Sequence, residues 1–273
     1  MLCFSSQLNN PTYKPAADRL FAALDLFNIK YKLLNKTKDI WLRDFMPVKT
    51  RSGRYVSFRY DPSYLKDNPD LKTDFKSDIL PQLNMPDLVY SDIKLDGGNV
   101  VFSPSKEKVI ISDRVFSENS DRSEANLTAE LGKFLEARVI IIPSLKSDMT
   151  GHADGMVRFL DEKTVLGNRT DYKSGHETKI KKALQKEDIE VIDFPYFETG
   201  NRSPDGVPSA EGCYLNYLET EKVVFLPVFK ANKEMNREAI PLLRRLTGKR
   251  IIPVCIDEIA LHGGLLNCIS WEE

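Results

Sequence analysis

One short pattern recurs five times along this chain, and it restricts the folds open to it. β-rich runs begin at Ile29 (IKYKLLN), Leu88 (LVYSDIKL), Val139 (VIIIPSL), Ile189 (IEVIDFPY) and Ile251 (IIPVCID). Each has strand length and a strand-forming composition. A stretch of helical character precedes each run. In AADRLFAALDLF, Leu20, Phe21, Leu24 and Phe27 share one face, and in NLTAELGKFLEA so do Leu127, Leu131, Phe134 and Leu135. Weaker helical stretches cover 64–83, 176–187 and 232–246; Pro241 lies inside the last, where a proline kinks a helix or marks its first turn. After each run comes a loop. In four units a hairpin with a polar turn follows: FMPVKTRSGRYVSFRY, NVVFSPSKEKVIIS, GMVRFLDEKTVLGN and CYLNYLETEKVVFLP. The unit is therefore strand, loop, strand, turn, strand, helix, about 55 residues long, a period typical of stacked or circular arrays. An ordinary α/β domain with merely alternating elements is the alternative that periodicity leaves open. The fifth unit, LLNCISWEE, is half a hairpin, and MLCFSS at the N-terminus can supply its partner and close a ring.

Composition narrows the partners. The 273 residues are 41% hydrophobic, enough for one large domain or two small ones with a real core, and with five repeated units accounting for the whole chain a single domain over 1–273 is expected. Lys and Arg number 39 against 40 Asp and Glu, so the net charge of -1 calls for neither nucleic acid nor an anionic membrane. A small neutral or cationic ligand fits better. No apolar run reaches the roughly 18 to 20 residues of a spanning helix, and MLCFSSQLNN lacks the basic and apolar regions of a leader, so a cytoplasmic location is expected. Cys3, Cys213, Cys255 and Cys268 show no CxxC spacing; neither a zinc site nor a disulfide framework is suggested, and no metal is expected. Oligomeric state is not legible.

The same place in each unit, the turn after the repeated strand, reads WLRDF, LDGGN, GHADG, EGCYLN and HGGLLNC. If the units surround an axis, these loops converge and bring Asp44, Asp96, His152, Asp154, Cys213 and Cys268 into one pocket. A thiolate is a nucleophile, and a nearby His can stabilise it and move protons. Carboxylates beside it would oppose a developing oxyanion, so they make sense with an electrophile that is itself a cation. A guanidinium is planar and presents a fork of donors that paired carboxylates can hold, leaving its central carbon facing the sulfur.

These loops resemble those of the guanidino-group-modifying enzymes of pentein fold, most closely the agmatine deiminase and bacterial peptidylarginine deiminase group. WLRD resembles the family's W-x-R-D, LDGGN its acidic-Gly-Gly, and GHADGMVRF its G-H-x-D-x-x-x-R-F. CYLNYLETEKVVFLPVF is similar to its S-Y-x-N-F hairpin and GGLLNC to its terminal G-G-x-x-H-C. The motifs run in the family's order from Trp41 to Cys268. Asp96 stands where these enzymes usually have Glu, Asn267 where they have His, and His262 where a Gly is common. The resemblance implies a five-bladed α/β propeller with pseudo-fivefold repeats and a deiminase converting a guanidino group into a ureido product plus ammonia, without cofactor. It further implies Cys268 as nucleophile, His152 as proton carrier and Asp96 as its support. Asp44 and Asp154 would clamp the guanidinium, with Trp41 and Asn216 also lining the substrate site. An amidinotransferase, or a non-catalytic binding protein such as the ribosome anti-association factor of the same fold, is the competing class.

Each residue also has a plainer reading. Cys3 and Cys255 are expected as small buried hydrophobes, and Cys213 as a pocket wall. Asp44, Asp96 and Asp154 could be turn formers. Arg158 is expected in a structural salt bridge, His176 on a solvated helix face. The Gly-, Pro- and Ser-rich stretch Glu198 to Gly212 is expected to be a mobile lid.

Overall fold

A computed structural model describes residues 1–85, 87–169 and 175–273. Among the described residues, fifteen strands form five separate three-stranded sheets, each with an antiparallel pair and a third strand added in parallel. The first sheet contains Leu2–Ser5 (β1) and Tyr31–Leu34 (β2), with helix Lys14–Leu26 (α1) crossing between them. The second has Val48–Lys49 (β3), Tyr55–Arg59 (β4) and Leu88–Lys94 (β5). Val101–Phe102 (β6), Lys108–Ser112 (β7) and Arg138–Ile142 (β8) form the third, Val157–Phe159 (β9), Thr164–Asn168 (β10) and Glu190–Phe194 (β11) the fourth, and Leu218–Glu219 (β12), Val223–Val228 (β13) and Arg250–Cys255 (β14) the fifth. Ser270–Glu272 (β15) pairs antiparallel with β1, Cys3 opposite Trp271 and Phe4 opposite Ser270. The half-hairpin at one end of the sequence is thus completed by the other, and the ring closes as the repeat requires.

The crossover helices follow local chemistry. Glu124–Leu135 (α4, after a short α3 at Arg114–Glu118 and an α2 turn at Leu42–Phe45) starts at Ser123, whose side chain accepts the Asn126 N–H. It buries Leu127, Leu131 and Leu135, spaced by four, each contributing about 1.5–3 kcal/mol of burial. Gly175–Gln185 (α5) buries Ile180 and Leu184. Lys233–Thr247 (α6) is capped by Asn232 and ended by Gly248 at φ 66°, and Pro241 sits inside it rather than at its start. A last turn, Asp257–Ala260 (α7), follows β14.

The second crossover departs from the expectation of a helix over 64–83. It is a series of short turns, 3₁₀ at Ser63–Leu65, Pro69–Leu71 and Leu80–Gln82 with a π-turn at Phe75–Ile79. Pro69 and Pro81 remove backbone donors and clash with the preceding turn, so a continuous α-helix cannot form there. Phe75 and Ile79 still bury against the core.

The first strand of every hairpin lines the axis. Val48, Val101, Phe159, Leu218 and Trp271, one from each of five strands, wall an axial cavity of about 770 Å³. Arg43, Asp154, Arg158 and Asn267 reach it from the candidate site at one end.

Candidate active site

The loops that precede the axial strands meet as expected. In the first, Asp39 Oδ1 accepts the Trp41 N–H at 3.0 Å and turns the chain into α2. Leu42 and Phe45 are buried, which fixes the orientation of the four-residue turn. Its Arg43 N–H donates to the Cys268 carbonyl at 3.0 Å and Arg43 Nε to the Asn267 carbonyl at 3.2 Å. Residues more than two hundred positions apart are thereby stitched together. Trp41 is half-buried with its ring over Gly264; a Cβ there would lie 2.8 Å from two ring atoms, so glycine permits the contact.

Asp44 is buried, and its Oδ1 accepts the Gly98 N–H at 3.1 Å. The same oxygen lies 3.6 Å from His152 Nδ1, while His152 Nε2 lies 3.0 Å from Asp96 Oδ2. The imidazole is thus held between two carboxylates. A Cβ at Gly98 would stand 2.5 Å from His152 Nδ1 and 2.7 Å from Asp44 Oδ1, which explains the glycine in LDGGN. Asn99 ties the next loop in place, its Oδ1 accepting the N–H groups of Ser112 at 2.8 Å and Ala153 at 3.2 Å.

Cys268 lies on the other side of the pocket. Its Sγ is 3.3 Å from Asn216 Oδ1 and 3.8 Å from Asp154 Oδ2. Asn216 Oδ1 also accepts the N–H groups of Asn267 at 3.1 Å and Cys268 at 3.2 Å, so this one amide fixes the segment that carries the thiol. Asp154 Oδ2 accepts from Asn267 Nδ2 at 2.7 Å, and Arg158 Nη1 donates to Asn267 Oδ1 at 3.2 Å. Among the described residues, no group donates to Asp44 Oδ2 or to Asp154 Oδ1. Each carboxylate therefore has one oxygen anchored and one available.

Electrostatics set the protonation of the site. Burial alone would lower the His152 imidazolium, but the charge of Asp44 and the hydrogen bond and charge of Asp96 outweigh it and raise its pKa to about 10. Burial pushes Asp44 up, with His152 opposing and the Asp96 and Asp154 charges adding. Burial, then the charges of Asp154 and Asp44, hold the Cys268 thiol well above its ordinary range. These directions favour an imidazolium at His152 and a neutral thiol at Cys268, and the guanidinium groups of Arg43 and Arg158 also act on the Asp154 charge.

The remaining candidates fall outside this cluster or at its edge. Cys213 is buried with Sγ 3.3 Å from the Gly155 carbonyl, and Cys3 is fully buried, whereas Cys255 is half-buried with its Sγ 3.4 Å from Asp257 Oδ2. Arg158 pairs with Glu219 at 3.4 Å and stacks over Tyr217, its guanidinium carbon 4.5 Å from the ring centroid. His262 packs edge-on against Tyr13. His176 is half-buried, Nε2 3.4 Å from Met156 Sδ, because α5 turns that face toward the sheet; burial lowers its pKa. Within Glu198 to Gly212 the chain folds back on itself, Ser203 N–H to the Val207 carbonyl and Ser209 N–H to the Asn201 carbonyl, and docks through Ala210 N–H on the Ala260 carbonyl. Sequence reasoning did not single out Tyr64, whose hydroxyl donates to Asp96 at 2.9 Å; no local motif marks it.

Five blades around an axis, with a Cys, a His and three Asp meeting at one end of it, define the class of guanidino-group-modifying enzymes of pentein fold. The chain belongs to the Porphyromonas-type peptidyl-arginine deiminase family, whose model matches residues 7–273. Among solved structures, agmatine deiminase of Enterococcus faecalis superposes with a TM-score of 0.77 at 17% identity, over 100% of this chain and 92% of that one. Agmatine deiminase of C. jejuni gives 0.72 at 17% identity over 99% and 91%. The dimethylarginine dimethylaminohydrolase of Pseudomonas aeruginosa, a Cys-to-Ser variant complexed with citrulline, gives 0.58 at 14% over 98% and 97%. At these identities the likeness establishes the fold. No curated protein sequence matches the chain. Among the described residues, no helix is long and apolar enough to cross a membrane.

Proposed function

We propose that residues 1–273 form one catalytic domain that hydrolyses the guanidino group of agmatine, arginine or an arginine derivative to a ureido product plus ammonia. The observation that carries this reading is the pair of half-engaged carboxylates, Asp44 and Asp154, beside the half-buried Cys268 thiol. A guanidinium can satisfy both free oxygens through its N–H groups in charge-assisted hydrogen bonds. Trp41 would cover its stem, and Asn216 would hold Cys268 against it. Family membership supports the same chemistry.

The steps follow from the protonation states. Arrival of the cation offsets Asp44 and Asp154, the thiol gives up its proton to solvent, and Sγ adds to the central carbon to give a neutral tetrahedral adduct. The His152 imidazolium, oriented by Asp96, gives a proton to one amino group; the C–N bond breaks, ammonia leaves and an S-alkylthiouronium remains. Neutral His152 then takes a proton from water as hydroxide adds to the same carbon. Cleavage of the C–S bond, with the hydroxyl proton passing to sulfur, releases the ureido product and restores both thiol and imidazolium. The sum is guanidinium plus water to urea, ammonia and one proton.

A panel of guanidino compounds assayed for both ammonia and ureido product tests this reading. Equal amounts of the two products support hydrolysis. Carbon delivered to an added amine instead of water would mark an amidinotransferase, and no turnover of any member would favour a binding protein. The chemistry calls for no nucleic acid or membrane partner and is compatible with the cytoplasm.

A further inference from the structure

Among the described residues, the second crossover shows no α-helix, and it sends a side chain to the candidate site. Its first turn, Ser63–Leu65, is pinned from outside: the Ser63 N–H and hydroxyl donate to Glu118 at 3.0 and 2.6 Å, and Arg114 donates to both Glu118, at 3.0 Å, and Ser63 Oγ, at 2.9 Å. Pro62, buried just before the turn, limits the backbone on the other side. The Tyr64 hydroxyl donates to Asp96 Oδ2 at 2.9 Å, and the Tyr64 ring lies edge-on to His152 with centroids 6.3 Å apart.

Asp96 Oδ2 accepts from Tyr64 and also lies 3.0 Å from His152 Nε2. A carboxylate oxygen offers two lone pairs, so these two partners fill both and fix the rotation of the carboxylate. Burial, then the Asp96 and Tyr60 charges, keeps the Tyr64 phenol protonated, so it acts as a donor. Without it Asp96 could swivel, and the imidazole it holds would follow. We propose that Tyr64 is a positioning residue of the deiminase: it locks Asp96, and through Asp96 the ring of His152, without itself touching the guanidinium. The inference rests on the proposed function for its kinetic consequence, but not for its structural one.

Two readouts test it, one of them independent of turnover. The chain has three histidines, His152, His176 and His262, so their ring signals can be assigned by single substitutions and followed by nitrogen-edited NMR. In Tyr64→Phe the His152 ring signals should move while those of His176 and His262 stay; an unmoved His152 overturns the proposal whatever the substrate. In kinetics, Tyr64→Phe should lower kcat about tenfold, the worth of one hydrogen bond to a charged group, with KM within about twofold. Asp96→Glu pushes the carboxylate toward the Tyr64 hydroxyl, so it should also lose activity, and the Tyr64→Phe, Asp96→Glu double variant should regain part of that loss. Wild-type kcat in Tyr64→Phe, or losses that simply multiply in the double variant, would overturn it. If the wild type turns over no guanidino compound, the proposed function fails and the NMR result alone decides the role of Tyr64.

Discussion

Asn267 stands between Arg158 and Asp154, its Nδ2 donating to Asp154 Oδ2 at 2.7 Å and its Oδ1 accepting from Arg158 Nη1 at 3.2 Å. The amide passes the arginine's polarisation to the carboxylate but keeps the guanidinium of Arg158 off it. A direct ion pair would occupy the charge that a substrate cation needs. Asn267→Ala leaves Asp154 charged but unanchored and should lower kcat/KM about tenfold. Asn267→Asp places a like charge at hydrogen-bond distance and lets Arg158 pair with the new carboxylate. It should cost about a hundredfold or more. Steady-state kinetics of both variants check the order; equal losses would mean that only anchoring matters.

Asp154→Asn keeps the size and one acceptor but removes charge beside Cys268. Loss of about two decades in kcat/KM is expected, against none for Asp161→Asn in the exposed turn of the neighbouring hairpin. The thiol should at the same time become easier to ionise, since the Asp154 charge is the second cause, after burial, that holds it up. The rate of alkylation by neutral iodoacetamide against pH reads this directly: its midpoint should fall in the variant while turnover collapses.

Cys268→Ala should abolish turnover and leave the melting temperature close to that of the wild type, because the half-buried side chain contributes little packing. In the wild type a haloacetamidine, which carries the cation that offsets Asp44 and Asp154, should label Cys268 at neutral pH at least about tenfold faster than iodoacetamide does. Buried Cys3 and Cys213 should not share that preference. Peptide mapping after labelling settles which sulfur reacted.

The pH dependence follows from His152. Its pKa is raised in the folded state from 6.5 to about 10, so the interaction stabilises the protein fully below pH 6.5 and is lost as the pH rises through about 10. The alkaline fall of kcat/KM should occur in the same direction, as the imidazolium that protonates the leaving amine disappears. Asp96→Asn removes one of the two main anions around the ring. Both the alkaline limb of activity and that of thermal stability should then move to lower pH, measured by pH profiles of kcat/KM and of melting temperature.

The segment from Glu198 to Gly212 docks against the loop that leads to Cys268, and at Gly263, whose φ is 93°, a Cβ would lie 2.8 Å from Val207 Cγ1, so that side chain would have to shift. Gly263→Ala therefore strains the backbone and pushes this segment outward. If it serves as a lid, KM should rise about tenfold with only a small drop in melting temperature. A large drop with normal kinetics would make it structural packing.

Local patterning determined much of this protein. The spacing of the five β-rich runs, the polar turns inside four hairpins and the unpaired strand near Cys268 specify five blades and a ring closed through β1 and β15, because strand and helix periodicities are written within a few residues of each other. The candidate site residues in the loops were legible for the same reason: each occupies the same place in its unit. Only the tertiary structure decided how they are paired. That Asp96 shares one oxygen between Tyr64 and His152, that Asn267 reaches Asp154 across 113 positions, and that Arg158 stops one amide short of Asp154 depend on distances between blades, which no window of sequence contains. The second crossover shows the limit from the other side. Its apolar spacing suggests a helix, but prolines forbid one, and the turn that replaces it is held by Glu118 and Arg114 of the next blade.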